Sequence, residues 1–119
     1  MTIFDVLKQD AGLKMELCKN KKIMTFRQSI LEKLNNPEKV DFAYQGDYLV
    51  ISAEATSRYT LRNLRGKKVL YCGKLIREIL EHFGIEYDED FYKAFSEVEK
   101  IEGQGNAISI KMKSEPGEQ

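Results

Sequence analysis

The sequence has little of what catalysis or metal binding usually requires. It contains one histidine and two cysteines in 119 residues. Cys18 and Cys72 are too few and too far apart to indicate a disulfide framework or a zinc site, so we expect reduced, apolar side chains. The one histidine, His82, is predicted on the polar side of a helix, and any Cys-His or Ser-His-Asp constellation would have to use it. The sequence therefore predicts that the protein is not an enzyme.

Patterns for cofactors, metals and membranes are also missing. Gly103 and Gly105 lack the spacing and the following helix of a phosphate-binding loop. Asp88, Glu89 and Asp90 lack the spacing and glycine of an EF-hand, which favours a solvated acidic loop. No apolar run approaches the roughly 20 residues that span a bilayer, and the start of the chain does not resemble a signal peptide. We expect no cofactor, no metal, no membrane contact and a cytoplasmic location.

The length of the chain is typical of one domain. An apolar fraction of 42% and an aromatic fraction of 10% predict that it folds. We expect a single α+β domain over residues 1–113, with halves at about 14–55 and 56–113. Residues 114–119 are predicted to form a disordered tail.

Charge is distributed unevenly along a chain whose formal net charge is zero. Residues 14–34 contain six basic and two acidic residues, and residues 58–78 contain seven basic residues and one acidic residue. Residues 79–105 contain eight acidic and two basic residues. This distribution predicts a bipolar molecule with a basic side and an acidic side. Ordinary solvated faces are an equally good explanation, since charged residues cover most protein surfaces.

The first half of the chain has the patterns of strands, a helix and a hairpin. Thr25 and Gln28 have the spacing of a capping box, in which each side chain satisfies a free backbone N–H at the start of a helix. The predicted elements are, in order, a short arm with Phe4, Val6 and Leu7, strands at 14–18 and 23–25, a helix ending before Pro37, and a hairpin of strands at 40–44 and 48–52.

The second half has a similar order of patterns. Gly84 is a natural end for its helix, because glycine readily adopts the left-handed conformation that follows many helices. The predicted elements are a strand-like segment at 58–64, a strand at 69–72, a helix from Gly73, and strand-like segments at 91–98 and 107–112 joined by a glycine-rich turn. A helical turn over residues 91–95 is the alternative interpretation of the first of these last two segments.

The two halves match each other at an offset of 46 residues. The segment KIMTFRQSILEKL, residues 22–34, then lies on KVLYCGKLIREIL, residues 68–80. Lysine, isoleucine, glutamate and leucine coincide at four positions. Two copies that cannot each close a core often pack on each other. We therefore expect a duplication, with the two halves related by a pseudo-two-fold axis and with Ile30, Leu34, Ile76 and Leu80 in one core.

Each half resembles the SpoVT/AbrB-like swapped-hairpin family of bacterial DNA-binding regulators and antitoxins, which includes the MazE type. The first match is LCKNKKIMTFRQSILEKLNNPEKVDFAYQGDYLVI, residues 17–51, and the second is KKVLYCGKLIREILEHFGI, residues 67–85. The shared pattern is a strand, a basic turn, a short apolar strand, a helix and a hairpin. The resemblance implies an AbrB-like fold built from tandem copies in one chain.

The resemblance also implies a function and a set of site residues. We expect a small DNA-binding transcriptional regulator or antitoxin-like protein that contacts phosphates through basic turns, with Arg27 or Arg65 reaching base edges. Ordinary turn lysines are the competing interpretation of the same residues. The candidate DNA-binding residues are Lys19, Lys21, Lys22, Arg27, Arg65, Lys67, Lys68 and Lys74.

A second hypothesis follows from departures from the family pattern. The family's glycine before the basic residue is replaced by Lys21, and its proline at the helix start is replaced by Phe26 or Cys72. These changes favour a non-enzymatic protein-interaction module, of phage or accessory origin, that has lost DNA binding. Such a module would bind a protein partner through its acidic side or a sheet edge. A homo-oligomer is compatible with either hypothesis.

Overall fold

The computed structural model describes residues 12–18, 21–54, 56–65, 67–101, 103 and 106–112, without the side chains of Cys18 and Lys21. The predicted arm with Phe4, Val6 and Leu7 and the predicted tail at 114–119 lie outside the described residues. The strands are β1 Leu13–Cys18, β2 Lys21–Phe26, β3 Lys39–Gln45, β4 Tyr48–Ser52, β5 Tyr59–Thr60, β6 Arg62–Leu64, β7 Lys67–Leu70, β8 Tyr92–Phe95, β9 Val98–Lys100 and β10 Ala107–Lys111. The helices are α1 Gln28–Lys33 and α2 Gly73–His82.

The described strands form two five-stranded sheets in which each strand pair is antiparallel. Sheet 1 has the order β6-β7-β2-β1-β8, and sheet 2 has the order β5-β3-β4-β10-β9. Both sheets contain strands from both halves of the chain, because β2 pairs with β7 and β4 pairs with β10.

The predicted fold class is wrong. We expected an α+β domain of two strand-helix-hairpin halves packed in the AbrB-like manner. The structure is mainly antiparallel β, since the two sheets dominate and the helices have only six and ten residues. The strand content was underestimated because two segments that each read as one strand contribute two strands, one to each sheet.

The two segments that divide between the sheets bend at particular residues. The segment at 58–64 bends at the buried Leu61, so that β5 lies in sheet 2 and β6 in sheet 1. The segment at 91–98 bends at Ser96 and Glu97, so that β8 lies in sheet 1 and β9 in sheet 2. Strands that switch sheets form the corners of packed β structures. The apolar spacing becomes irregular at both bends, from Leu61 to Leu64 and from Phe95 to Val98, but spacing alone does not identify the strands that pair on either side. The division between two sheets was therefore not predicted.

One predicted helix boundary agrees with the structure and another does not. Thr25 lies in β2, and α1 begins after Arg27 without a side-chain cap, so the predicted capping box is wrong. The buried position of Thr25 between β1 and β7 explains why its side chain does not cap a helix. Gly84 does end α2, with a φ of 68°, and Ile85 donates its N–H to the carbonyl of Leu80 at 2.9 Å.

The core is shared by both halves, as predicted. Ile30 and Leu34 from the first half and Ile76 and Leu80 from the second are fully buried in one hydrophobic cluster. Full burial of an aliphatic side chain stabilises a fold by about 1.5–3 kcal/mol relative to exposure. The four residues therefore join the two halves as well as filling the interior.

Candidate nucleic-acid interface

Most of the predicted DNA-binding residues belong to two hairpins of sheet 1. In the first hairpin, Cys18 pairs with Lys21, so only two residues connect β1 to β2. One of them, Lys19, lies outside the described residues, and only the backbone of Lys21 is described. In the second hairpin, Leu64 pairs with Lys67, so Arg65 and one further residue connect β6 to β7.

Lys22 and Lys74 are exposed beside the first turn of α2. The aliphatic part of Lys22 lies against Gly73, because a Cβ built at Gly73 would be 2.8 Å from the Cδ and 3.2 Å from the Cβ of Lys22. Lys74 is the second residue of the helix, whose first turn contains no acidic residue. Cations are unfavourable at a helix N-terminus, so these lysines do not stabilise the helix through its dipole.

The β6–β7 hairpin has a concentration of positive charge at one edge of sheet 1. Arg62 and Arg65 are exposed and Lys67 is half-buried. Arg62 and Lys67 lie on the same face, because Arg62 pairs with Val69 and Leu64 pairs with Lys67. Arg65 has a φ of 49°. This left-handed conformation costs a residue with a Cβ about 1–2 kcal/mol.

Lys68 is buried, and its ammonium group has hydrogen-bond partners inside the protein. Its relative exposure is 8%, and its Nζ donates to the carbonyls of Pro37 at 2.5 Å and Asn36 at 3.4 Å. These carbonyls follow α1, where the chain turns through positive φ at Asn35 and Asn36. The ammonium group is therefore engaged inside the protein, and the predicted role of Lys68 at a DNA surface does not match its position.

Arg27 is half-buried at the start of α1. Its backbone N–H donates to the carbonyl of Gly12 at 3.1 Å, and its own carbonyl accepts the N–H groups of Ile30 and Leu31. The backbone of Arg27 thus holds the start of β1 against the start of the helix.

The first basic cluster, around Lys22 at the β1–β2 hairpin, and the second, in the β6–β7 hairpin, lie towards opposite ends of the strands of sheet 1. Because β2 and β7 are antiparallel, Lys68 lies opposite Phe26, four residues along β2 from Lys22. At about 3.4 Å per residue, this separation is about 14 Å along the strand. The structure therefore places the clusters on one sheet but does not merge them into one site.

The acidic loop at 86–90 lies beside the first hairpin. Leu17 donates its N–H to the carbonyl of Phe91 at 2.9 Å, and Glu16 pairs with Tyr92, so the loop ends next to the last residues of β1. Glu86, Asp88, Glu89 and Asp90 are exposed. The field of the first basic cluster is consequently opposed by nearby negative charge, whereas the β6–β7 hairpin lies at the other edge of the sheet.

Other polar groups have structural partners. The His82 ring stacks on Tyr44 with centroids 3.7 Å apart, and Tyr44 donates its O–H to Glu78 at 3.4 Å. Partial burial, followed by the charge of Glu78, raises the pKa of Tyr44. The hydrogen bond to Glu81 raises the pKa of Tyr87. In the described part of the chain, no group of three or more His, Cys, Asp or Glu side chains is placed to hold a metal ion.

Two hollows in the described surface have volumes of about 350 Å³ and about 470 Å³. The first is lined by residues including Glu38, Lys39 and Glu54, and the second by residues including Val50 and Ser52. Their described linings contain neither histidine nor cysteine. The β6–β7 hairpin, whose Arg62, Arg65 and Lys67 are all cationic, is therefore taken as the candidate site.

Sequence reasoning did not include Arg62 or Lys14 in the candidate site. Arg62 shares a face with Lys67, and Lys14 places its Nζ 5.1 Å from the centre of the exposed Tyr92 ring on the same sheet. The alternation within residues 58–64 could have indicated Arg62, but the cross-strand neighbour of Lys14 depends on the β1–β8 pairing, which joins residues far apart in sequence.

Comparisons with known proteins do not assign the chain to a group. No protein-family model, no curated protein and no solved structure matches it. The helices of the described residues include none that is long and apolar enough to cross a membrane.

Proposed function

We propose that the chain is a small DNA-binding transcriptional regulator or antitoxin-like protein, and that it holds duplex DNA through the β6–β7 hairpin. Exposed Arg62 and Arg65, with Lys67 beside them, support the proposal. Arginine and lysine side chains contact the phosphate oxygens of DNA, and an arginine can also bind guanine in a bidentate manner. Lys22 on β2 and Lys74 on α2 supply further positive charge away from this hairpin.

The main support for the proposal is the backbone conformation of Arg65, together with its exposed side chain. Two-residue hairpin turns favour Asn, Asp or Gly where φ is positive, yet Arg65 holds such a position at 49°. Its side chain is exposed, so packing does not repay the strain of the backbone. A guanidinium group at the tip of a hairpin can enter a groove or reach phosphates on duplex DNA. Binding of DNA would therefore explain why arginine stands where the turn favours a smaller residue.

The zero net charge of the chain indicates weak binding to random sequence. Non-specific affinities of DNA-binding proteins are about 10⁻⁴ to 10⁻⁶ M at physiological salt, and they depend on the number of phosphates contacted. A small cluster of cations, with the acidic loop elsewhere on the same sheet, places this protein at the weak end of that range. Binding is therefore best sought at low salt.

The experiment is a titration of labelled duplex DNA with the wild type and with the double variant Arg62→Glu/Arg65→Glu. Both side chains are exposed, so the variant should keep its fold. We expect it to lose most of the DNA affinity, because attraction to phosphates becomes repulsion. Lys68 is left unchanged because its removal would disturb the turn after α1.

A matched control is Lys39→Glu, which reverses an exposed charge on β3 in sheet 2. We expect this variant to bind DNA nearly as well as the wild type. Absence of wild-type binding at low salt, or equal loss in the control and the double variant, would overturn the proposed interface.

The second candidate function is that of a protein-interaction module, and one observation favours it. Among the described strands, β8 pairs on one side only, with β1, and so forms an edge of sheet 1. Its Tyr92 is 55% exposed. An edge strand offers backbone hydrogen-bonding groups to an extended segment of a partner. If the DNA titration detects no affinity, the β8 edge becomes the favoured binding site, with a protein segment as the partner.

A further inference from the structure

Sheet 1 has two edges that pair with no further strand in the described part of the chain. One edge is β6, which pairs only with β7, and the other is β8, which pairs only with β1. The described residues of both strands are mostly exposed. Natural proteins usually protect such edges, because they can add a strand from another chain.

The two edges have opposite charge. The β6 edge has Arg62, Arg65 and Lys67. The β8 edge is preceded by the exposed acidic loop at 86–90 and followed by the exposed Glu97. Lys93 is the one cation within β8, and its Nζ lies 5.3 Å from the centre of the Phe95 ring.

We propose that the β6 edge of one molecule pairs with the β8 edge of a second copy of this chain. The partner is identified by charge complementarity, because the basic hairpin of one copy would meet the acidic residues around β8 of the next. The contact would continue sheet 1 from one molecule into another. This inference does not depend on DNA binding, although DNA and the second copy would compete for Arg62 and Arg65.

The backbone of β8 is suitably oriented for this pairing. Leu17 donates its N–H to the carbonyl of Phe91, so the pairs at every second residue, including Met15 with Lys93, are the hydrogen-bonded ones. The N–H and carbonyl groups of Tyr92 and Ala94 consequently point away from β1. No strand in the described part of the chain pairs with them, so they can meet the β6 strand of a neighbouring molecule.

The geometry of the contact predicts open chains of molecules, not a closed dimer. The two contacting surfaces are different, and a head-to-tail contact whose rotation does not close produces filaments. The strands have only three and four residues, so the interface is small. Interfaces below about 1,200 Å² are typical of weak, transient association.

The test measures the mass of the purified full chain by sedimentation or light scattering, without DNA, over increasing concentration. We expect the mean mass to rise beyond that of a dimer at low salt. Raising the ionic strength from about 0.1 M to about 1 M shortens the Debye length from about 10 Å to about 3 Å and should suppress the association. A mass that stays at 13.8 kDa up to the solubility limit would overturn the proposal.

Two charge-reversed variants make the test specific. A base-reversed variant has Arg62, Arg65 and Lys67 changed to Glu, and an acid-reversed variant has Glu86, Glu89 and Glu97 changed to Lys. Each alone has two edges of like charge, and the concentration needed for association should rise by at least about tenfold. An equimolar mixture restores opposite edges and should associate again. Association of either variant alone at the wild-type concentration would contradict edge pairing.

Net attraction between oppositely charged variants must be separated from strand pairing. Ala94→Pro removes an outward N–H from β8 without changing any charge or any hydrogen bond to β1. With this change in both reversed variants, we expect the mixture to remain monomeric, and circular dichroism checks that the sheets persist. Association that survives Ala94→Pro would show attraction by net charge alone and would refute the pairing. The acid-reversed variant should still bind DNA, which separates this inference from the proposed function.

Discussion

Met24 pairs with Leu70 across the junction of β2 and β7, and the two residues occupy the same place in the two copies of the sequence repeat. The neighbouring pairings correspond as well, since a hairpin of β1 and β2 flanks one side and a hairpin of β6 and β7 flanks the other. Neither half contains a complete sheet. Each half of the chain therefore completes the sheets of the other.

Truncation of the shared core should destabilise the whole chain. Leu34→Ala or Leu80→Ala removes a fully buried side chain, and we expect a loss of about 2–5 kcal/mol in the free energy of unfolding. Denaturation in urea measures this loss. Leu64→Ala is the control, because Leu64 is 37% exposed and its truncation should change stability by about 0.5 kcal/mol or less. Equal effects at Leu64 and Leu34 would contradict the shared core.

Removal of the Lys68 ammonium group should lower the stability of the fold without weakening the binding of DNA by the β6–β7 hairpin. Lys68→Met leaves the carbonyl of Pro37 without its buried donor, at a cost of about 1–3 kcal/mol. Lys67→Met at the half-buried neighbouring position should cost less stability but should weaken DNA binding. Urea denaturation and the DNA titration together distinguish the two lysines. A Lys68 variant that is as stable as the wild type but loses DNA affinity would restore Lys68 to the interface.

The parts of the fold that depend on local pattern could be predicted from the sequence. The β3–β4 hairpin, the helix that ends at Gly84 and the buried face of α2 all follow from alternation, helical spacing and a glycine with positive φ. The division of residues 58–64 and 91–98 between two sheets could not be predicted. The bends at Leu61 and Ser96 depend on which strands lie alongside, and local periodicity does not specify those partners.

In the candidate site, too, some features follow from the local sequence and others depend on contacts between residues far apart in the chain. The positive charge of Arg65 and Lys67 is evident in the sequence, and strand-like segments were predicted on either side of them at 58–64 and 69–72, but their pairing as a hairpin was not predicted. The burial of Lys68 could not, because the carbonyls that it binds belong to a turn about 30 residues earlier. The acidic loop beside the first hairpin likewise depends on the β1–β8 pairing, which joins residues from the two ends of the chain.

A side chain at position 12 should disrupt the contact between β1 and β8. Gly12 has a φ of 105°, and a Cβ there would lie 2.1 Å from the carbonyl oxygen of Phe95. Gly46 also has positive φ, at 60°, but a Cβ there would meet nothing within 4 Å. We expect Gly46→Ala to cost about 1–2 kcal/mol for the backbone conformation alone and Gly12→Ala to cost clearly more. Thermal unfolding of the two variants provides the comparison, and equal melting temperatures would contradict the close approach.

Acid should remove the contribution of Asp41 to stability. The backbone N–H and Nε of Arg58 donate to Asp41 at 3.0 and 3.3 Å, and the backbone hydrogen bond is the main cause that lowers the pKa of Asp41 below the ordinary value of an aspartate. A carboxyl whose pKa is lower in the folded state stabilises the fold above its unfolded pKa and loses this effect as pH falls through its folded pKa. The stability advantage of the wild type over Asp41→Asn should therefore be present at pH 7 and shrink below about pH 4. An advantage that is constant with pH would refute the assignment.

If the β6–β7 hairpin contacts DNA phosphates, its affinity for duplex DNA must fall with rising salt concentration. Each phosphate contact contributes about −0.9 to the slope of log K against log salt concentration. Three contacts from Arg62, Arg65 and Lys67 predict a slope of about −3 for the wild type, becoming shallower by about 2 in Arg62→Gln/Arg65→Gln. Lys39→Gln should leave the slope unchanged. No binding by the wild type at the lowest salt concentration, or a slope unaffected by the loss of both arginines, would contradict the account.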